Sequence, residues 1–253
     1  MFGPTDYFLF AVFATIACWE RFAPGRQLKS IPFWSLKGIL AGAVYWVVAT
    51  YSPFLWADLL PTTPLIDGTG WPLYSATPAA FAVYQFGIYA WHRTMHAVPF
   101  LWRHFHQTHH SAERVDIWSA LWFHPLDTAA FTLVGTLMVT VVLGVDPVAV
   151  LVAVLISVFT ALFQHANIRT PRWIGFLIVR PESHMLHHER GVHRYNYCDL
   201  PLWDMVFGTF RNPKTWDAQA GLVDGGGEKY WSLLIGRDIT RHDEGAPNMQ
   251  PAE

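Results

Sequence analysis

Long blocks of this chain carry no Asp, Glu, Lys, Arg or His. Residues 38 to 57 give 20 such positions, 68 to 91 give 24, and 128 to 145 and 147 to 164 give 18 each. A helix crosses ~30 Å of hydrocarbon with about 20 residues, and 17 can suffice. The pattern therefore predicts four membrane-spanning helices. An earlier run, Tyr7 to Trp19, has only 13 residues. It spans only if Asp6, Glu20 and Arg21 sit among the headgroups. A signal-peptide core is disfavoured there, because no positive charge precedes the run and no small-residue cleavage site follows it. The blocks 128–145 and 147–164 read as a hairpin turning at Asp146-Pro147, and no internal repeat is visible.

The positive charges orient these blocks, since Lys and Arg favour the cytoplasmic side. Arg21, Arg26, Lys29 and Lys37 fall between the first two blocks, and Arg93, Arg103 and Arg114 follow the third. The remaining ten of the 17 follow His165, and the other side carries none. Five spans from an outside N-terminus reproduce this. With four spans the N-terminus moves inside and the rest is unchanged. Trp19, Trp34, Trp56, Trp71 and Trp91 sit at block ends, as an interfacial aromatic belt would. The same arrangement puts every histidine on the cytoplasmic side.

Composition agrees. The chain is 52% hydrophobic and only 14% charged, against a usual ~25% charged, too little for a soluble surface and too apolar for disorder. The mean hydropathy of +0.22 leaves room for a polar portion. A net charge of -2 offers no basic surface to nucleic acid. Cys18 and Cys198 are too few for a disulfide framework or a zinc ribbon. The expected fold is an all-α polytopic membrane bundle of four to five transmembrane helices with a cytoplasmic histidine-rich helical cap. Residues 1–91 form the N-terminal helices, 75–215 the catalytic region and 216–253 a cytoplasmic C-terminal segment, with a disordered tail from about His242.

Histidine carries the candidate chemistry. Twelve of the 13 lie between His92 and His193. His92 and His96 are spaced i, i+4. His106, His109 and His110 form an H-x-x-H-H group, repeated at His184, His187 and His188. On helices these spacings put the rings of each group on one face. His124 lies in Phe-His-Pro, and His165 ends the fifth block. A single pair reads as interfacial histidine satisfied by water. Ten clustered imidazoles are different: protonated they repel, and buried each needs a partner for its lone pair. Metal satisfies that need. Ten ligands exceed one ion's four to six positions, so two ions are inferred. No H-E-x-x-H zinc-peptidase motif is present. A haem would want single histidines inside paired spans. Non-haem iron, which activates O2, fits best.

These residues resemble the fatty acid hydroxylase or sterol desaturase superfamily of membrane diiron enzymes. The matching runs are W-H-R-T-M-H at 91–96, L-W-R-H-F-H-Q-T-H-H-S at 101–111, F-H-P-L-D at 123–127 and F-Q-H-A-N at 163–167. R-P-E-S-H-M-L-H-H at 180–188 and N-Y-C-D-L-P-L-W-D-M-V-F-G-T-F at 196–210 complete them. The resemblance implies that His92, His96, His106, His109, His110, His184, His187 and His188 are catalytic metal ligands, with His124 and His165 completing the set. His104 and His193 read as supporting or surface groups. Asp199 and Asp204 are candidates to accept a histidine N–H, with a turn cap the alternative for Asp204. Cys198 reads as a bystander.

By the same resemblance, two iron ions use O2 and external electrons to hydroxylate an unactivated C–H bond of a membrane lipid: a sterol, fatty acyl chain, carotenoid or similar. The donor is a separate ferredoxin or cytochrome b5-like protein, because no H-P-G-G, G-x-G-x-x-G or four-Cys cluster signature occurs. The rivals are a desaturase or demethylating oxidase of the same family, a membrane zinc hydrolase, and a non-catalytic lipid- or metal-binding membrane protein. Phe81 to Trp91 either lines a substrate channel or packs against neighbouring helices.

Overall fold

The computed structural model describes residues 3–240; the expected tail lies outside them. The chain is mostly helical. Helix α1 covers Pro4–Phe22, α2 Trp34–Tyr51 and α3 Leu73–Ala97. Residues 99–110 wind on as α4, whose middle turn, Trp102–His106, is π-helical. Then come α5 (Pro125–Leu137, extended by a π turn over Met138–Val142) and α6 (Pro147–His165). The short helices α7 (Pro181–His187), α8 (Pro201–Val206) and α9 (Tyr230–Leu234) follow.

Among the described residues, three stretches are long and apolar enough to cross a membrane: Trp34–Leu59, Pro125–Val142 and Pro147–His165. Helix α1 is continuous, but Asp6, Glu20 and Arg21 mark its ends. Helix α3 is long enough at 25 residues, yet its mean hydropathy is diluted by Gln85, Arg93 and its histidines. The predicted block 68–91 begins later as helix, because Ile66–Gly68 form a strand (β1) that pairs in parallel with Leu143–Val145 (β2). This ladder is a departure from an all-α chain. It ties the loop before α3 to the α5–α6 turn, at the end of the bundle opposite the histidines.

Local sequence explains the helix starts. Pro147 occupies the first turn of α6, where its missing N–H costs nothing, and the Asp146 carboxylate accepts from Val148 N at 2.7 Å. Between these helices the contacts are made by small residues. Ala76 and Ala80 of α3 pack on Ala149 and Ala153 of α6, and Gly87 and Gly135 let α3 and α5 touch, since a Cβ at either would overlap Met138 or Tyr84. Small residues let helix backbones approach closely where lipid gives no hydrophobic drive. Helices α3 and α6, packed side by side, carry His92, His96 and His165 at their C-terminal ends.

Candidate metal centre

Nine histidines converge at that end in two groups. His92, His96, His106, His110 and His187 form one, and His109, His165, His184 and His188 the other. Within each group the candidate ligand atoms lie within 4.8 Å of one another. Each H-x-x-H-H run serves both. Its i, i+4 pair goes to one group (His106 with His110, His184 with His188) and its middle histidine to the other (His109, His187). This corrects the expectation of a single shared face. At 3.6 residues per turn, positions i+3 and i+4 fall on opposite sides of i, about 100° apart. Rings that long diverge into two clusters. The clusters abut, with the His110 and His188 rings stacked at 4.3 Å.

The hydrogen bonding points the rings' other nitrogens inward. His92 Nδ1 donates to the Tyr197 carbonyl and His187 Nδ1 to the Tyr195 carbonyl, both at 2.7 Å. His106 Nδ1 contacts the Asp127 carboxylate at 2.7 Å. His165 Nδ1 donates to the Ala161 carbonyl at 2.8 Å and His109 Nδ1 to that of Trp122 at 3.3 Å. A ring that donates through Nδ1 keeps its Nε2 lone pair free. In the first group all five Nε2 atoms are buried with no hydrogen-bond partner. In the second the Nε2 atoms meet only one another: His109 to His165 at 3.2 Å, His165 to His184 at 3.1 Å and His184 to His188 at 3.0 Å.

Orphaned buried nitrogens are costly unless something binds them. Two nitrogens bound side by side on one ion at about 2.1 Å stand about 3 Å apart, so the second group already has the spacing a metal needs. Protonation is not the answer. Burial first, then neighbouring imidazoles, hold His106, His109, His110, His184, His187 and His188 well below the ordinary 6.5, leaving them neutral. Neutral rings with unshared Nε2 pairs fit a soft-to-borderline divalent ion such as iron.

His124 stands outside both groups. Its Nδ1 accepts from Leu126 N at 3.0 Å, capping α5, and its Nε2 donates to the Leu234 carbonyl at 3.1 Å. Both nitrogens are engaged, so the structure places it as a helix cap rather than with the ligand set. His104 lies outside as well, stacked on Phe100 at 4.4 Å. His193 is close in: its Nδ1 lies 3.1 Å from His110 Nδ1, and burial pushes it down to about 4.

Both groups open onto one cavity of about 120 Å³. His92, His106, His109, His165 and His184 line it together with apolar side chains such as Ile88, Leu121, Phe123, Phe131, Val158 and Leu162 and with the polar Ser157, Gln164 and Asp199. The Phe123 ring stacks on His109 at 4.1 Å. A larger cavity of about 610 Å³, lined by Arg26, Lys29, Glu113, Asp217 and neighbours, is rich in charged side chains and has no histidine in its lining.

Comparison with known proteins decides the lineage. The fatty acid hydroxylase family matches residues 77–209. The chain belongs to this family. Among its relatives, ornithine lipid hydroxylase OlsE of Rhizobium tropici is 30% identical over 148 residues, 56% of this chain and 44% of that protein. A Delta(7)-sterol-C5(6)-desaturase of Nicotiana tabacum is 28% identical over 162 residues, 61% and 56% of the two chains. Human alkylglycerol monooxygenase (Homo sapiens) is 30% identical over 146 residues, 55% and 31%. The chain spans about half the length of the curated relatives it matches. No solved structure matches it.

Within this member of the fatty acid hydroxylase family, the supporting partners differ from those the sequence suggested. Asp127, from the F-H-P-L-D run, holds a histidine; Asp199 and Asp204 hold none. Asp204 accepts from Tyr197 N and Thr209 Oγ1, at 2.9 and 2.7 Å, which is the turn-cap alternative. Cys198 is buried, its Sγ–H donating to the Leu200 carbonyl at 3.0 Å. The Tyr195 and Tyr197 carbonyls were missed, and no side-chain pattern announces a carbonyl. Asp127 was findable, three residues after His124 and fully buried at the start of an apolar helix.

Proposed function

We propose that this chain is a membrane-bound oxygenase of the monooxygenase type that hydroxylates an unactivated C–H bond of a lipid. The observation that carries this is the convergence of nine histidines in two groups, five of which, drawn from both groups, line one largely apolar cavity. His92, His96, His106, His110 and His187 would hold one iron ion, and His109, His165, His184 and His188 a second. Iron bound there supplies O2 activation, using two electrons from an external ferredoxin or cytochrome b5-like donor. The chain's own residues do the rest. The carbonyls of Tyr195, Tyr197, Trp122 and Ala161 and the Asp127 carboxylate fix ring orientation. Phe123, Phe131, Leu121 and Leu162 exclude water and admit an apolar carbon.

The relatives' names, which include lipid hydroxylases and a sterol desaturase, support a lipid substrate. On this reading α3 crosses the membrane together with the three apolar stretches. Helix α1 adds a fifth span, the N-terminus lies outside, and the histidine end faces the cytoplasm. Residues 1–91 anchor the chain, 75–215 form the catalytic region, and 216–253 follow on the cytoplasmic side.

Expression under 18O2 with lipid mass spectrometry tests the proposal. A lipid that gains one labelled oxygen, and is absent after His109→Ala or His187→Ala, is the expected result. A lipid that loses two hydrogens and gains no label would select the desaturase reading, which similarity to a sterol desaturase favours. A lipid profile unchanged by the protein would refute both.

A further inference from the structure

We propose that residues 199–207 form a re-entrant segment, lying inside the bilayer and returning to the histidine side. The inference rests on the spanning assignment of α3 and α6 made above. The depth of the segment is set by its partners. The Asp199 carboxylate accepts from Gln85 Nε2 at 2.8 Å, Ser157 Oγ at 3.1 Å and Gln164 Nε2 at 2.8 Å. Gln85 lies seven residues before His92, about 10 Å down the α3 axis. Ser157 lies well inside the apolar stretch Pro147–His165. Helix α8 goes deeper. Trp203 Nε1 donates to the Ala82 carbonyl at 2.9 Å, about 15 Å below His92, and the Trp203 ring packs on Phe86 at 4.8 Å. The chain then climbs back. Phe207 stacks on Tyr89 at 5.1 Å, and Thr209 Oγ1 shares a hydrogen bond with the Tyr89 hydroxyl at 3.1 Å.

Broken backbone survives at membrane depth only where protein satisfies its polar groups. Here the groups around Asp199 and Asp204 are satisfied. Asp204 accepts from Tyr197 N and Cys198 N, and its carbonyl accepts from Thr209 N and Phe210 N. Asp199 N donates to Gln85 Oε1 at 2.8 Å, and the Asp199 carbonyl accepts from Val179 N at 2.8 Å. This gives a use to two buried carboxylates that touch no histidine. The outward face is the reverse. Leu202, Met205, Val206 and Phe207 are 41 to 60% exposed and carry no charge. That face continues the wall of α3 at the level of Ala82 to Tyr89, so its occupant is the acyl chains of the surrounding lipid.

Nitroxide labels at Leu202→Cys and, separately, Val206→Cys test this on a Cys18→Ser background, since Cys198 is buried. The full chain is placed in lipid nanodiscs, and relaxation by O2 is compared with relaxation by a water-soluble nickel chelate. Controls are Val152→Cys on the exposed face of α6 and Lys214→Cys in the cap. Labels at 202 and 206 that match Val152→Cys, with O2 favoured several-fold, are expected. Labels that instead match Lys214→Cys, while Val152→Cys favours O2, would overturn the segment and leave the spanning assignment standing. All four labels favouring the nickel chelate would overturn both. Labels at 202 and 206 that favour nickel until a partner protein is added would also overturn it, assigning the face to that partner.

Discussion

Asn196 holds the loop that receives two of the candidate ligand rings. The loop 193–197 supplies the carbonyls that receive His187 and His92, and to do so it holds His193, Tyr195 and Asn196 at φ of 40, 72 and 50°. Left-handed backbone costs an ordinary residue roughly 1–2 kcal/mol, and Asn less. The Asn196 side chain also clamps the loop: Nδ2 donates to the Ser183 carbonyl and Oδ1 accepts from Arg211 N, both at 2.8 Å. Removing a partner that orients a ligand typically weakens metal binding about 10- to 100-fold. Asn196→Ala is expected to lose metal in chelator competition by such a factor, and Asn196→Asp, which keeps the acceptor and tolerates the same backbone, by much less. Equal retention in both variants and the parent would show that the loop does not position the ligands. The spacing of histidines was legible in the sequence at this scale, but His124 was not. Phe-His-Pro looks the same whether its imidazole binds metal or caps the following helix.

At the scale of elements, the blocks without charge marked α2, α5 and α6, because length and hydropathy suffice for a helix in hydrocarbon. They said less about α3, whose polar residues serve the interior rather than the lipid. Gln85 reaches Ser157 and Asp199. The split of each H-x-x-H-H run between two groups was not legible either, since it depends on where α4 and α7 sit relative to α3 and α6. Helix contact is the firmer prediction. Tyr84 lines the cavity and lies against Gly135 of α5. Gly135→Val forces these helices apart and is expected to destabilise the fold by about 1–3 kcal/mol. Gly70→Ala, which meets nothing within 4 Å, should be neutral. Thermal unfolding in one detergent compares them, and equal midpoints would contradict the close packing of α3 on α5.

The whole molecule joins a lipid-facing bundle to a buried cluster of neutral imidazoles, and that union makes it sensitive to acid. Histidines of the unfolded chain titrate near 6.5, while burial holds the folded ones lower. Through these rings the unfolded state binds more protons below pH 6.5, so their contribution to stability falls as pH falls and is level above about 7. Protons compete with metal for Nε2 in the same direction. Metal-free protein should unfold at a lower temperature at pH 5.5 than at pH 7.5; an equal or higher midpoint at pH 5.5 would refute burial of neutral rings.

The most direct test is iron per chain, by elemental analysis of protein loaded with ferrous ion without oxygen and freed of excess. Two irons are predicted for the parent. His187→Ala should weaken the first group and His109→Ala the second, so each is expected to retain about one. A parent that holds a single iron, or none, would contradict a centre built from two histidine groups.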